Sequence, residues 1–498
     1  MLRQQCSLLL LFALVAHTAS MVYEQPAPIL PIDDPWPDIA DEDSYDFGKA
    51  VRMSKRQVGY DYGDALKASV QFYEAQLSGN IPENDRVYWR KPDSAQSDSG
   101  NFGEDLSGGM YDAGDHVKFN LPMAWTTTML AWGYIEFEAA YNDTGEANTI
   151  REILKWNCDY FIKCHPNPDL YYHQVGDPGI DHSVWDRPEN ISMLRPAYAI
   201  GEGETGSDVA GETAAALAGC AKVFADYDPT YSAQCLATAQ SLYSFAESHL
   251  GTYPQQTFYV STNYWDEMAW AAIWIYWASG NVWYQAEAET LFATKSLSVK
   301  SYAAGWNDKR EPLKLLLSVL STNDELSKSY RGYFKTYING WLPEASVPYT
   351  PLGLVCRDQW GSLRWAANTA ALAILGAHYD VRAAAYTTFA LTQLDYILGS
   401  SGHSYVVGVG ENPPVEPHHR ASSCPNITEE CTNTNSFNYE GPNHHVLRGA
   451  MVGGPDCNDV WFDNRADYVR NEVACDYNAG FQTLVAGVHS MVLGGIIV

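Results

Sequence analysis

Apolar side chains recur at three- and four-residue steps over most of the chain beyond residue 60. In 207–226 the recurring positions are Ala210, Ala214, Leu217, Ala218, Ala221 and Phe224, and in 230–249 they are Tyr231, Cys235, Ala239, Leu242, Phe245 and Ala246. The same spacing marks 360–378, through Leu363, Ala367, Ala370, Ala371 and Ile374, and 480–494, through Phe481, Leu484, Val485, Val488 and Val492. Such steps place the apolar set on one face of a helix. Weaker versions at 62–78, 122–141, 147–163, 264–278, 282–293, 311–320, 323–335 and 382–398 bring the count to about twelve helices. Strand-like alternation is rare. The series predicts an all-α fold, an (α/α)6 barrel of six helical hairpins with inner helices packed inside outer ones. The run Ala214-Ala215-Ala216 suits close approach of inner helices. Two separate helical domains would need a linker, and none is visible. No repeat is strict enough for an open solenoid.

The connections are unequal. Residues 79–121, 165–206 and 399–479 are long, weakly periodic and rich in Gly, Pro, His and Asp. Loops of this length in a compact domain are usually functional or disordered. These contain Trp, Tyr, His and Asp rather than low-complexity sequence, so they are expected to wall a cleft at one end of the ring.

The first residues follow a different logic. LLLLFALV, Leu8 to Val15, follows Arg3 and precedes Thr18-Ala19-Ser20. This is the pattern of a cleaved signal peptide over 1–20. It is too short to span a membrane, and no other segment supplies a span, so a secreted protein with no membrane partner is expected. Residues 21–56 are acidic and proline-bearing and close on Lys55-Arg56. They are read as a pro-segment or disordered leader, with processing expected to leave Gln57 first. The catalytic domain is then 57–498, with no appended module expected.

Of ten cysteines, Cys6 belongs to the signal segment, leaving nine and at least one unpaired thiol. Cys424 and Cys431 flank a short polar loop and are expected to pair, whereas Cys220, spaced like its apolar neighbours, is expected to be a core thiol. Asn142, Asn190 and Asn426 stand in glycosylation sequons. A formal charge of -29 excludes nucleic acid as a partner and suits a soluble protein with a neutral substrate; a monomer is expected. The 16 Trp and 33 Tyr suit stacking on sugar faces, although core packing uses the same residues.

Candidate chemistry lies in the long loops. Gly108-Gly109-Met110-Tyr111-Asp112-Ala113-Gly114-Asp115-His116 sets two aspartates three apart in a Gly-rich turn. WFDNRADYVRNEVACDYNAGF holds Asp463 and Glu472 and leads into the last helix, and Pro417-His418-His419-Arg420 lies between these segments. Either aspartate alone would more often be a turn or helix cap than a base, and Glu472 alone is most simply a solvated glutamate. Adjacent histidines rarely share one ion, which argues against a metal there. Together, carboxylates in Gly- and aromatic-rich loops fit glycosidic hydrolysis. That reaction needs one acid for the leaving oxygen and one carboxylate to activate water or attack the sugar.

At these residues the chain resembles glycoside hydrolase family 9, the inverting endoglucanases. SYVVGVGENPPVEPHHR, ending at Arg420, matches one family signature; WFDNRADYVRNEVACDYNA, ending at Ala479, matches another; GGMYDAGDHVKF matches a third block. The likeness runs from about Tyr60 to the C-terminus. It implies the same ring of six hairpins and a secreted hydrolase of cellulose or related β-1,4-glucans. It assigns Asp115 as base, Asp112 as its water-orienting partner and Glu472 as acid. His418, Asp463 and Arg420 match positions that hold the sugar and shape the field around Glu472, and Tyr477 matches a supporting tyrosine. His165, Trp185, Trp360 and Arg364 match substrate contacts. No cofactor is implied for the chemistry. Some members hold a structural calcium; Asp266 and Glu267 resemble that site with Asp308 as third ligand, although Asn307 stands where an acid is frequent. A sugar-binding protein without turnover would be expected to lack Asp115 or Glu472. An enzyme for mixed-linkage glucan or xylan would keep both.

Overall fold

In this computed structural model the described residues are 59–254 and 257–497. The expected signal and leader segments, and a first residue at Gln57, lie outside them. Twelve long helices follow in order: α1 Tyr62–Gln76, α2 Asn120–Thr144, α3 Ala147–Cys164, α4 Ser207–Phe224, α5 Pro229–Ser248, α6 Trp265–Ser279, α7 Val282–Thr294, α8 Arg310–Leu320, α9 Asp324–Asn339, α10 Ser362–His378, α11 Ala383–Asp395 and α12 Cys475–Leu493. Local chemistry sets their ends. Asp228 accepts from Tyr231 N at the start of α5, with Pro229 in the first helical position, and Asn323 accepts from Glu325 N and Leu326 N at the start of α9. Gly145 and Gly280 close α2 and α6 in the left-handed conformation.

The predicted hairpins are present. α2 pairs with α3, α4 with α5, α6 with α7, α8 with α9 and α10 with α11, and the sixth pair joins the first and last helices, α1 and α12. The even-numbered helices form the inner ring: α12 packs on α2, α2 on α4, α4 on α6, α6 on α8, and α10 on α12. α10 is tied to the segment ahead of α8, where Asn368 Nδ2 donates to Ala304 O at 3.1 Å, and to α9, where Tyr337 OH meets Thr369 Oγ1 at 3.2 Å. Inner helices are buried on nearly every face, as in α4 and α12, whereas α9 buries only Tyr330, Phe334, Tyr337 and Ile338. That division is what a helix inside a helical shell requires. Among the described residues no helix is long and apolar enough to cross a membrane.

Two expectations need correction. The loops read as irregular contain a three-stranded antiparallel sheet, β1 (Lys118–Phe119), β2 (Tyr171–Val175) and β3 (Ala197–Ile200), in the order β1-β2-β3. Every residue of β2 is buried, so it shows no in–out alternation. Cys220 is not a core thiol but pairs with Cys158 of α3; with Cys356–Cys457 and the expected Cys424–Cys431 this makes three disulfides among the described residues. Helical spacing reports burial, and a buried cysteine can be either. Cys164, Cys235 and Cys475 are free and buried.

The inner ring depends on small residues at helix crossings. A Cβ on Gly480 of α12 would lie 2.2 Å from Asn368 Oδ1 and 2.8 Å from Asn368 Cα on α10. Gly480→Ala is expected to cost about 1–3 kcal/mol by overpacking, seen as a lowered melting temperature. Gly332→Ala, on α9 with nothing within 4 Å of the added carbon, is the control and should lose none.

Candidate active site

Three stretches distant in sequence are stitched together by main-chain hydrogen bonds. Cys475 N donates to Asp112 O (2.8 Å), Arg420 N to Gly114 O (3.1 Å), and His418 N to Asn471 O (2.8 Å). The approach is close: a Cβ on Gly114 would sit 2.2 Å from His418 O, so only glycine fits. Gln76 at the end of α1 braces the turn, donating to Tyr111 O and Ala113 O, while its Oε1 accepts from His419 Nε2 at 2.9 Å. Asp112, Asp115, His418 and Glu472 are thereby brought to one place, as the sequence predicted.

The two aspartates are held alike. Asp112 Oδ2 accepts from Tyr259 OH at 2.5 Å, and Asp115 Oδ2 accepts from His182 Nε2 at 3.1 Å. Asp112 Oδ1 and Asp115 Oδ1 are buried without a partner. Each carboxylate thus has one anchored oxygen and one spare. Burial, followed by the charges of Asp115 and Asp476, pushes the Asp112 carboxyl well above the ordinary range. Glu472 is raised to about 8, first by burial and then by the charges of Asp115 and Asp476, against the pull of Arg364 and Arg420. A carboxyl of this kind still holds its proton at neutral pH.

The surrounding groups divide by what they touch. His418 Nδ1–H donates to Arg465 O at 2.7 Å, which leaves Nε2 as an acceptor. Burial lowers its basicity to about 4, so it is neutral near pH 7. Trp185 packs edge-on against His418 with ring centres 5.0 Å apart, and its indole donates to Ser423 Oγ at 2.9 Å. Arg364 Nη1 lies 3.3 Å from Asp476 Oδ2, with its guanidinium 4.9 Å from the Tyr477 ring centre. Tyr477 bonds with Trp360, whose ring leans on Tyr468 at 5.6 Å.

Other expected contacts lie elsewhere or do other work. Asp463 spends both oxygens on the backbone, accepting from Val415 N (2.7 Å) and Glu416 N (3.0 Å), so it pins the loop ahead of His418 rather than a sugar. Arg420 is buried and paired with Asp181 at 2.6 Å, anchoring the turn that presents His182. His165 is buried between Tyr171 and Phe245, bonded to Leu170 O and Ser241 Oγ, apart from the carboxylates. The three residues expected to hold calcium do not converge. Glu267 Oε1 lies 3.1 Å from Lys309 Nζ, which also reaches Glu212 Oε2 at 3.2 Å. Asp266 Oδ2 accepts from Lys309 N at 2.8 Å, and Asp308 pairs with Arg310 at 2.5 Å. Among the described residues they are not one of the side-chain groups close enough to share an ion. The trio as placed does not fit a common metal.

Several neighbours had gone unread in the sequence. Asp181 and His182 stand in the same loop segment as Trp185, and His182 stacks on Phe258 at 5.2 Å. Tyr259 and Trp306 meet edge-on at 5.0 Å beside Asp112. No local pattern singles out Tyr259, whereas Asp476 stands in the first turn of α12, inside the segment already singled out around Glu472.

The sequence model of glycosyl hydrolase family 9 matches residues 62–485. Endoglucanase B of Cellulomonas fimi is 40% identical over 448 residues, 86% of this chain; the match spans only 42% of that longer protein. The structure of the endoglucanase from the termite Nasutitermes takasagoensis aligns over 87% of this chain and all of its own, with a TM-score of 0.84 and 44% identity. Endoglucanase CelQ from Clostridium thermocellum, solved with cellobiose and cellotriose, aligns over 87% of this chain and 71% of its own, with a TM-score of 0.77 and 34% identity. This chain therefore belongs to glycosyl hydrolase family 9.

Proposed function

We propose that this protein is an exported endo-β-1,4-glucanase that hydrolyses cellulose or a related glucan with inversion at the anomeric carbon. The observation behind the reading is the division among carboxyls. Asp112 and Asp115 each keep one spare oxygen, while Glu472 retains a proton at neutral pH. In this mechanism Asp115 Oδ1 takes a proton from water as the water oxygen bonds to the anomeric carbon. The glycosidic bond breaks, and the Glu472 proton passes to the leaving oxygen. Asp112 holds the second hydrogen of that water and thereby orients it. Tyr259 and His182 prevent both aspartates from turning away. His418, neutral with Nε2 open, accepts from a sugar hydroxyl, and Trp185, Trp360 and Trp306 supply apolar faces for the rings.

Water and carboxyls supply every proton and bond in this scheme, so no cofactor enters it. The cellobiose and cellotriose bound by the related CelQ support a β-glucan substrate. Three disulfides among the described residues support export, as does the apolar stretch at Leu8–Val15. Asn142, Asn190 and Asn426 are exposed, which supports glycosylation there.

Glu472→Gln is expected to lower the rate on unactivated glucan by about 10²–10⁴-fold, the usual contribution of a general acid. Aryl glycosides with good leaving groups should be partly spared; equal loss on both substrates would remove Glu472 from the acid role.

The pH profile follows with its sign. Glu472 acts in its protonated form, so kcat/KM should fall as pH rises through about 8. An alkaline limb near pH 5, where an ordinary glutamate has already ionised, would refute the assignment.

Proton NMR of a cello-oligosaccharide digest tests stereochemistry, read before the anomers equilibrate. The α-anomer should appear first. First release of the β-anomer would make Asp115 a nucleophile.

A further inference from the structure

A second concave site lies where α3 meets the segment leading to the catalytic turn. Its volume is about 500 Å³, within the range of small-molecule sites. Trp156 and Tyr160 of α3 line it together with Asn80, Ser107, Lys163 and Gln234, and none of the catalytic carboxyls takes part.

Its electrostatics narrow the ligand. Lys163 lies 2.9 Å from Asp105 and donates to Ser107 O and Oγ. Asp159, also in the lining, is paired with Lys155 at 2.7 Å. With each charge answered by a protein partner, the site offers little to a phosphate, a nucleotide or a cation. Asn80 and Gln234 are exposed, and their side-chain amides form no hydrogen bond among the described residues. They are donors and acceptors waiting for hydroxyls. Trp156 is half-buried, its indole N–H fixed on Gly109 O at 3.0 Å, so the ring is held rigidly before any ligand arrives. A rigid aromatic wall beside uncommitted amides, with no net charge, suits a neutral ring having one apolar face and a rim of hydroxyls.

We propose that this cleft is a second binding site for a β-1,4-glucan strand, separate from the cleavage site; the choice of glucan among neutral sugars rests on the function proposed above. It would hold the polymer to the enzyme while another stretch is cut. The bond from Trp156 to Gly109, three residues before Asp112, ties its wall to the catalytic turn.

Calorimetric titration of the full chain bearing Glu472→Gln with cellohexaose tests this. Two molecules should bind per chain. Adding Trp156→Ala should weaken one site about tenfold or more, the scale of losing a central aromatic contact. Because that change also frees Gly109 O, Asn80→Ala with Gln234→Ala serves as an independent variant. It should weaken the same site about threefold or more, on the scale of lost hydrogen bonds, and in the active enzyme it should reduce adsorption to insoluble cellulose while leaving turnover of cellotetraose unchanged. A single site untouched by either variant would overturn the second site and leave the catalytic reading standing. A single site weakened by Asn80→Ala with Gln234→Ala as well as by Trp156→Ala would uphold the second site; one weakened by Trp156→Ala alone would overturn it, since that loss then comes through Gly109. Two sites unaffected by both variants would also overturn the proposal.

Discussion

The catalytic geometry depends on main-chain hydrogen bonds between segments from opposite ends of the sequence. Cys475 N to Asp112 O and Arg420 N to Gly114 O hold the turn bearing Asp112 and Asp115 against the segments bearing His418 and Glu472. A backbone bond fixes position without spending side-chain functional groups, so the side chains of Asp115 and Glu472 stay available for chemistry. Loops alone would place catalytic groups loosely. Here they are clamped to the ends of α1 and α12, and those two helices are themselves a packed pair. The ring provides the rigidity that the loops lack.

Charge is organised around the same clamp. Asp112, Asp115, Glu472 and Asp476 crowd into one region: Asp115, Asp476 and Glu472 raise the cost of ionising Asp112, and Asp115 and Asp476 do the same to Glu472. The molecule meets this unevenly. Tyr259, His182 and Arg364 bond to Asp112, Asp115 and Asp476, while Glu472 feels the charges of Arg364 and Arg420 and is still raised to about 8.

Much of this was legible in the sequence, for definable reasons. Helical periodicity reports burial on one face, so all twelve helices could be read; α12 was placed about five residues late because Cys475–Ala479 is polar yet buried. The Gly-rich turn and the segment around Glu472 were legible because close approach and catalysis restrict residue type over many positions. What escaped was tertiary. β2 is buried on both faces, Cys158 and Cys220 meet only when α3 packs on α4, and Tyr259 reaches Asp112 from a loop about 150 residues away. Asp463 and Arg420 were expected to hold the sugar and shape the field around Glu472; Arg420 does pull on Glu472, while the side-chain bonds of both run to protein partners that a motif does not record. His165 resembled a contact by its neighbours alone.

The pairing of α1 with α12 has a consequence for how the protein comes into being. Glu472 and the helix that closes the ring emerge from the ribosome after every other part of the site, so a growing chain possesses Asp112 and Asp115 long before Glu472. Residues 59–471 can begin to collapse as hairpins, but the inner faces of α1, α2 and α10 stay open to water until α12 arrives. Completion of the candidate site and burial of the last apolar surface therefore come in a single event, the docking of α12.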